Sequence, residues 1–273
     1  MPSYVITGVS RGIGYEFLRQ YSNDPNDTVI GLVRNKTATL EKVSEDPDLK
    51  GRRNIHILEA DVTDYNALQA AAAETTKITG GSLDYLIANA AFQPFFDAFD
   101  PIGTLGDQPE MVTKTLRELF EVNVIGNVHL FNLFMPLIVK GQAKKVIAIS
   151  TGLADTVLTN SYELTTGSLY ATSKAALNMV VAKYNAQYKK AGVLFLALSP
   201  GFVDVGQYKD VTAEQMEGLS GTMAGFAAYA PHFKGPLTPE QSVTAVKSVI
   251  ANASVEKGNG GDFLSHHGNK RWL

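Results

Sequence analysis

The sequence predicts an α/β fold with a doubly wound, mostly parallel sheet of seven strands and helices on both faces. Short apolar segments rich in β-branched residues alternate with longer segments of helical periodicity. The first apolar segment runs into a glycine-rich turn, and small or polar residues follow most of the others. This alternation is typical of a parallel sheet with right-handed crossover helices. No repeat or long linker divides the chain, so one domain over residues 1–273 is predicted.

Composition favours a soluble globular protein and excludes several classes of function. Hydrophobic residues make up 45% of the chain and charged residues 19%. The net charge of -3 provides no basic surface for nucleic acid or anionic lipid. The absence of cysteine excludes disulfides, thiol nucleophiles and cysteine metal sites. Met1–Gly8 lacks the features of a signal peptide, and the apolar stretch Val128–Val139 is too short to span a bilayer, so a cytoplasmic protein is expected.

The first predicted strand, Ser3–Thr7, leads into the turn Gly8-Val-Ser-Arg-Gly-Ile-Gly14. Phe17, Leu18 and Tyr21 then recur at helical spacing. A strand, a glycine turn and a helix are the context that a dinucleotide-binding motif requires. The glycines allow the backbone to approach a pyrophosphate closely at the helix N-terminus. A plain strand-to-helix loop is the alternative interpretation.

Cationic residues surround the end of the second predicted strand, Thr28–Val33. Arg34 follows this strand directly, Lys36 is nearby, and Arg11 lies in the glycine turn. An NAD site usually places an acid at this strand end, whereas an NADP site places an arginine there for the 2′-phosphate. The cations therefore favour NADP(H), with solvated surface charges as the alternative.

Polar or small residues also follow the next two predicted strands. Asn54–Glu59 leads to Asp61 and Val62, and Leu83–Ala88 leads to Asn89-Ala-Ala91. The carboxyl ends of parallel strands share one edge of the sheet, where ligands bind in such folds. These residues are therefore expected to meet the glycine turn at that edge.

The middle of the chain is predicted to alternate loops with a long helical segment. Pro94–Pro109 is predicted to be a loop at the mouth of the site. Val112–Lys140 is predicted to be helical, with an interruption near Gly126. Lys145–Ser150 is a clear strand, and Asp155–Ser168 is predicted to be a polar loop.

The following helix carries Tyr170 and Lys174 within the segment Leu169–Leu177. A spacing of four residues places both side chains on one helix face. A phenol normally keeps its proton up to pH ~10, and a neighbouring ammonium lowers its pKa. The pair is therefore a candidate proton donor near neutral pH, although the same spacing also occurs on ordinary helices.

The last part of the chain contains two further strands and a segment of unusual composition. Val193–Leu198 is a strand that leads to Pro200-Gly201. Residues 205–235 are rich in methionine, glycine and aromatic side chains, which favours a flap over an apolar ligand or, equally, a buried helix pair. A helix beginning at Thr238 and a strand over Gly260–Leu264 complete the predicted elements.

Together these motifs resemble the short-chain dehydrogenase/reductase family, in family order and over nearly the whole length. The motifs that carry the resemblance are Thr7-Gly-Val-Ser-Arg-Gly-Ile-Gly14, Asp61-Val62, Asn89-Ala-Ala91, Asn123, Ser150-Thr151, Tyr170-Ala-Thr-Ser-Lys174 and Pro200-Gly201. The segment Gly261–Gly268 resembles the small carbonyl reductase branch, which includes fungal ketoreductases of the norsolorinic acid ketoreductase type. The resemblance implies a Rossmann-type sheet and a nicotinamide cofactor.

The resemblance also implies a role for each matched residue. Tyr170 would protonate a carbonyl oxygen as hydride arrives, and Lys174 would hold the nicotinamide ribose and lower the pKa of Tyr170. Asn123 would anchor a water that relays protons to Lys174. Thr151 matches the family serine that hydrogen-bonds the carbonyl oxygen, and Ser150 is the alternative if the register shifts by one. The implied cofactor-binding residues are Gly8, Ser10, Arg11, Gly12, Ile13, Gly14, Arg34, Asp61, Val62, Asn89, Ala90, Ala91, Tyr170, Lys174, Pro200, Gly201 and Val203.

Three features depart from the family pattern. Ala91 stands where the family usually has glycine, and its methyl group crowds the expected cofactor. Val205 stands where the family usually has a threonine that anchors the carboxamide. The segment between Thr151 and Tyr170 is long, which adds a loop around Asn160–Thr166 near the site.

The expected function is NADPH-dependent reduction of a ketone or aldehyde of an apolar or aromatic small molecule, in secondary metabolism. Isomerisation, dehydration or cyclisation on the same fold is one alternative, and an NADPH-binding sensor protein is another. The expected partner is a small carbonyl substrate, without nucleic acid or membrane, and the resemblance implies a homodimer or homotetramer, with a monomer as the alternative. A metal site is not expected, because His266 and His267 are adjacent and are predicted to be surface residues.

Overall fold

In the computed structural model, seven parallel strands form one sheet in the order β3-β2-β1-β4-β5-β6-β7. The structure describes residues 1–207, 209 and 211–273. The strands are β1 (Ser3–Thr7), β2 (Thr28–Val33), β3 (Ile55–Glu59), β4 (Tyr85–Ala88), β5 (Lys145–Ile149), β6 (Leu194–Ser199) and β7 (Phe263–Ser265). All of their pairings are parallel. The predicted seven-stranded α/β sheet is therefore confirmed.

Helices cover both faces of the sheet. They are α1 (Gly12–Tyr21), α2 (Lys36–Glu45), α3 (Tyr65–Thr79), α4 (Pro109–Phe120), α5 (Gly126–Ile138), α6 (Thr156–Ser161), α7 (Ser168–Tyr188), α8 (Ala213–Gly218), α9 (Ser220–Tyr229) and α10 (Pro239–Asn252). On one face Leu68, Phe131 and Leu177, from α3, α5 and α7, pack in one buried cluster. On the other face α1 and α10 contribute Phe17 and Val246 to a second cluster. Because both faces are covered, the strands are apolar almost throughout.

The long helical segment in the middle of the chain is interrupted by a π-helical turn over Glu121–Ile125. The turn lies immediately before Gly126, where the sequence predicts the interruption. A Cβ atom on Gly126 would lie 2.5 Å from the carbonyl oxygen of Val62, so only glycine allows α5 to approach the end of β3 this closely. The interruption therefore results from close packing at the carboxyl edge of the sheet.

Two segments that are predicted to be irregular, or whose form the sequence leaves open, contain helices. The predicted polar loop Asp155–Ser168 contains the short helix α6, because the Asp155 carboxylate accepts a hydrogen bond from the backbone of Leu158 at 2.7 Å and caps it. Residues 205–235, predicted to form a flap or, equally, a buried helix pair, contain the helices α8 and α9, of which only α9 has buried residues. Tyr208 and Asp210, which belong to that segment, lie outside the described residues. Within the part of the chain that the structure describes, no helix is long and apolar enough to cross a bilayer.

Candidate active site

The residues that follow six strands gather along the carboxyl edge of the sheet. Each of β1 to β6 is followed directly or within two residues by a predicted site residue, and the strands are neighbours in one parallel sheet. The residues at these strand ends are Gly8, Arg34, Asp61, Asn89, Thr151 and Pro200. The topology thus brings the predicted motifs to one edge, and the reversal of strand order between β1 and β4 marks the crevice where ligands enter such sheets.

Hydrogen bonds from β4 fix the glycine-rich turn. The Asn89 side-chain amide donates to the carbonyl oxygens of Thr7 at 3.0 Å and Gly8 at 3.4 Å. The Thr7 hydroxyl accepts from the backbone of Asn89 and Ala90 at 3.0 and 2.9 Å. Gly8 has φ of +74°, and a Cβ atom there would lie 3.0 Å from Ala90 Cα. The backbone at this turn is therefore bare and preorganised, as a bound pyrophosphate requires.

Cationic side chains surround the turn. Arg11, Arg34 and Lys36 are exposed and form no ion pair among the described residues. Lys42, which sequence analysis missed, donates from Nζ to the Ser10 carbonyl oxygen at 3.1 Å. No local pattern could have identified Lys42, because its proximity depends on how α2 packs beside α1.

The helix α7 brings Tyr170 and Lys174 to the end of β5. Lys174 Nζ lies 5.9 Å from the centre of the Tyr170 ring and donates to the Ile149 carbonyl oxygen at 2.8 Å. The lysine is only 2% exposed, and this burial lowers its pKa to about 7. An amine that titrates near neutral pH beside a phenol is an arrangement suited to proton transfer.

Asn123 acts as a clamp between two backbone segments. Its Oδ1 accepts from the Phe92 backbone at 2.8 Å, and its Nδ2 donates to the Phe92 carbonyl oxygen at 2.9 Å and to the Ser173 hydroxyl at 3.0 Å. Its own carbonyl oxygen accepts from Asn127 at 2.9 Å. The side chain of Asn123 is fully buried. Its direct contacts therefore hold the segment after β4 against α7, and none of those described reaches Lys174.

The two candidate hydroxyls after β5 lie in different environments. Ser150 is buried, and its hydroxyl has no partner among the described residues. Thr151 is half-buried, and its hydroxyl accepts from the Leu153 backbone at 3.3 Å. Because this bond uses only an acceptor site, the Thr151 proton is free to be donated to a ligand oxygen.

The segment after β6 is packed against the glycine turn and a buried histidine. A Cβ atom on Gly12 would lie 3.1 Å from the side chain of Val205. Val205, which stands where the family usually has threonine, therefore packs directly against the glycine turn. Gly201 has φ of +85°, and His266 packs against it. The prediction that His266 is a surface residue is wrong: it is 6% exposed, and burial lowers its pKa to about 4. His267 is exposed as predicted.

Apolar side chains flank Tyr170 on the side of the predicted mouth. Phe92, Phe96 and Tyr170 pack against a buried cluster that includes Leu105 and Leu169. Within the described residues, no group of histidine, aspartate and glutamate side chains has the arrangement of a metal site. The arrangement offers a proton donor beside an apolar wall.

The segment 269–273 contributes an aromatic residue that sequence analysis did not assign to the site. Trp272 is 3% exposed and stacks on Phe263, with 4.3 Å between the ring centroids. It also lies against Gly152, because a Cβ atom added to Gly152 would be 2.9 Å from the Cβ of Trp272. Its backbone donates to the Tyr229 hydroxyl at 2.9 Å. Trp272 therefore joins α9 to the residue that follows Thr151.

Comparison with known proteins identifies the family. The family model for short chain dehydrogenases matches residues 3–216. The chain is 58% identical to the short chain dehydrogenase virK of Hypocrea virens and 53% identical to the short-chain dehydrogenase/reductase iacC of Pestalotiopsis fici, and both matches cover 100% of each chain.

Solved structures share the fold at lower identity. The NADPH-bound carbonyl reductase from chicken fatty liver has a TM-score of 0.74 at 22% identity, with 98% of each chain covered. The short chain dehydrogenase from Burkholderia cenocepacia in complex with NADP has a TM-score of 0.73 at 20% identity, covering 98% of this chain and 97% of the other. These matches confirm the fold, and the family model and the fungal relatives confirm the predicted family. The chain is a member of the short-chain dehydrogenase family.

Proposed function

We propose that the protein is an NADPH-dependent carbonyl reductase that acts on an apolar or aromatic ketone or aldehyde. The observation that carries the proposal is the Tyr170–Lys174 pair on one face of α7, with Lys174 buried and bonded to the carbonyl oxygen of Ile149, two residues before Thr151. The family consists of oxidoreductases, and the apolar wall formed by Phe92 and Phe96 suits an apolar substrate.

The residues at the sheet edge fit a dinucleotide cofactor. The turn from Gly8 to Gly14 presents bare backbone at the start of α1, and a Cβ atom on Gly14 would collide with the Gly8 carbonyl oxygen. Asp61, Val62 and the segment Asn89–Ala91 line the same edge. These residues would hold a nicotinamide cofactor, which when bound would supply hydride to the carbonyl carbon of the substrate.

The chain's own residues handle the proton and the developing negative charge. The Thr151 hydroxyl donates a hydrogen bond to the carbonyl oxygen, which strengthens as that oxygen becomes an alkoxide. Tyr170 transfers its phenolic proton to the same oxygen and completes the alcohol. The Lys174 ammonium stabilises the phenolate that remains, and a solvent proton restores the phenol. Asn123 holds Phe92 and α7 in register for this transfer.

The choice between NADPH and NADH depends on the cations at the glycine turn. Arg11 and Arg34 are exposed and unpaired among the described residues, so both can bind a 2′-phosphate in the bidentate geometry that guanidinium favours. Two of the solved structures with this fold hold NADPH or NADP. Lys36 and Lys42 add positive charge nearby.

We expect Arg34→Ala to weaken NADPH binding by about ten- to a hundredfold and to leave NADH binding nearly unchanged, because only NADPH carries the 2′-phosphate. Fluorescence titration of the purified protein with each nucleotide measures both affinities. Arg53→Ala is the matched control, because Arg53 is exposed and precedes β3 at the opposite edge of the sheet. Equal losses of affinity for NADPH and NADH in Arg34→Ala would contradict the assignment of Arg34 to the 2′-phosphate.

Non-redox chemistry is the second candidate, and the position of Val205 favours it. Val205 packs over Gly12 and offers no hydroxyl to a carboxamide, so the nicotinamide end of a cofactor is held less firmly than in the usual family pattern. Isomerisation, dehydration or cyclisation would consume no NADPH. Turnover of a substrate without any change in NADPH absorbance would support this candidate over the reductase.

The cover over the substrate, the cellular compartment and the oligomeric state are proposed as well. We propose that the helices α8 and α9, in the segment predicted as a flap, cover the substrate: α9 packs inward through Phe226, whereas α8 has no buried residue. We further propose a cytoplasmic homodimer or homotetramer. Support comes from the partly exposed apolar side chains Ile125 and Met179 near α5 and on α7, which a second copy would cover.

A further inference from the structure

The first turn of α7 has no side-chain cap from its own N-cap residue. That residue is Gly167, with φ of +65°. Helices leave their first backbone N–H groups without intrahelical partners, and those groups require acceptors when they are buried. In this helix the backbone N–H of Tyr170 is one of the groups that take an acceptor from outside the helix.

Asp97 supplies the missing acceptors from the loop between β4 and α4. Its Oδ2 accepts from the backbone of Leu169 at 2.7 Å and of Tyr170 at 3.0 Å. Its carbonyl oxygen accepts from the backbone of Gly167 at 2.7 Å. One residue, 72 positions before Leu169, thus accepts hydrogen bonds from the backbone N–H groups of Gly167, Leu169 and Tyr170 at the start of the helix.

Asp97 also places a buried carboxylate at the backbone of the tyrosine. Its side chain is fully buried, and Oδ1 has no partner among the described residues. Burial raises the pKa of Asp97, while the hydrogen bonds from the α7 backbone oppose that change. Lys174 is the buried cation one turn beyond Tyr170. The two groups act in opposite directions, because an anion disfavours the phenolate and a cation favours it.

The loop that carries Asp97 is fixed on both sides. Before Asp97, both backbone groups of Phe92 are bonded to Asn123. After it, a Cβ atom on Gly218 would clash with the carbonyl oxygen of Phe99, so α8 lies directly against the loop. The contact with α8 thus lies two residues after Asp97, and the contact with Asn123 lies five residues before it.

We propose that Asp97 is a positioning residue that holds Tyr170 in place through the first turn of α7 and, by its buried charge, sets the ionisation of the phenol. The proposal rests on the proposed role of Tyr170 as the proton donor. Through this one carboxylate, the loop at the mouth of the site is bonded to the helix turn that carries Tyr170.

The test is a titration of Tyr170 in the full chain labelled with ¹³C at the tyrosine Cζ position. Tyr170→Phe identifies the resonance. We expect Asp97→Asn to lower the pKa of Tyr170 by roughly one pH unit, because the amide keeps an acceptor but removes the charge. Asp64→Asn is the matched control, since Asp64 caps α3 through Ala67 at 3.0 Å and α3 carries no proposed site residue. A Tyr170 titration unchanged in Asp97→Asn would overturn the proposal.

Kinetics provide a second, independent result. In Asp97→Ala we expect kcat to fall at least about tenfold with an unchanged dissociation constant for NADPH, because misplacement of a reacting group affects chemistry more than cofactor binding. In Asp97→Asn, the alkaline limb of the kcat profile moves to lower pH. An equal loss of kcat in Asp64→Ala, the matched control for Asp97→Ala, would overturn the proposal. A wild-type protein that reduces no carbonyl compound would overturn the proposed function alone, since the Tyr170 titration needs no substrate.

Discussion

Tyr170→Phe is expected to lower kcat for carbonyl reduction by about 10²- to 10⁴-fold, while the affinity for NADPH stays within about twofold. Phenylalanine keeps the ring that packs against the Leu105 and Leu169 cluster and removes only the proton that the carbonyl oxygen must receive. The substitution therefore separates proton donation from folding. Single-turnover oxidation of NADPH at 340 nm, with a saturating ketone, measures the step directly.

The matched control is Tyr184→Phe on the same helix. The Tyr184 hydroxyl donates to the carbonyl oxygen of Val128 at 3.2 Å and to Asn132 at 2.7 Å, and both partners lie on α5. Its loss is expected to lower thermal stability slightly and to leave kcat unchanged. If both variants lose activity equally, or if Tyr170→Phe keeps more than a tenth of the wild-type kcat, Tyr170 is not the proton donor.

Lys174→Met is expected to lower kcat by about a hundredfold and to remove a characteristic pH dependence of stability. Burial lowers the pKa of Lys174 to about 7, whereas in the unfolded chain the amine titrates near its ordinary pKa of 10.5. Between these values the unfolded state binds more protons, so the free energy of unfolding rises with pH. From pH 7 to pH 9 the group contributes a gain of about 2 kcal/mol, which the variant lacks.

Urea denaturation of the ligand-free protein at several pH values measures this gain. The relevant quantity is the slope of the free energy of unfolding against pH, compared between wild type and Lys174→Met. Titrations of other groups cancel in this comparison. Lys183→Met is the control, since Lys183 is an exposed lysine on the same helix. If the wild-type and Lys174→Met curves run parallel across this range, the ammonium keeps its ordinary pKa in the fold.

The sheet and the centre of the site could be predicted because their signals are local. The spacing of Tyr170 and Lys174 fixes a shared helix face, and the glycines after β1 require a tight turn wherever the rest of the chain lies. The order of strands and helices then determines that these motifs meet at one edge. Each of these predictions needs only residues that are close in sequence.

The contacts that support the site could not be predicted in the same way. Asp97 bonds to a helix 72 residues later, and the Lys42 and Trp272 contacts depend on how separate elements pack. In the sequence, Asp97 is one acidic residue in a loop of phenylalanine, glycine and proline. His266 shows the same limit, because its burial follows from its contact with Gly201 rather than from its polar neighbours.

The position of Trp272 gives the protein an intrinsic optical reporter. It is the only tryptophan in the sequence, so its indole emission arises from one place, against Gly152, which follows Thr151. Dihydronicotinamide absorbs in the range where tryptophan emits, and a nucleotide bound at the strand edge would quench this signal by resonance energy transfer. Because the Trp272 backbone is bonded to Tyr229 of α9, displacement of that helix would also change the polarity around the indole. The emission of Trp272 would therefore report both cofactor binding and any displacement of α9 in unlabelled protein.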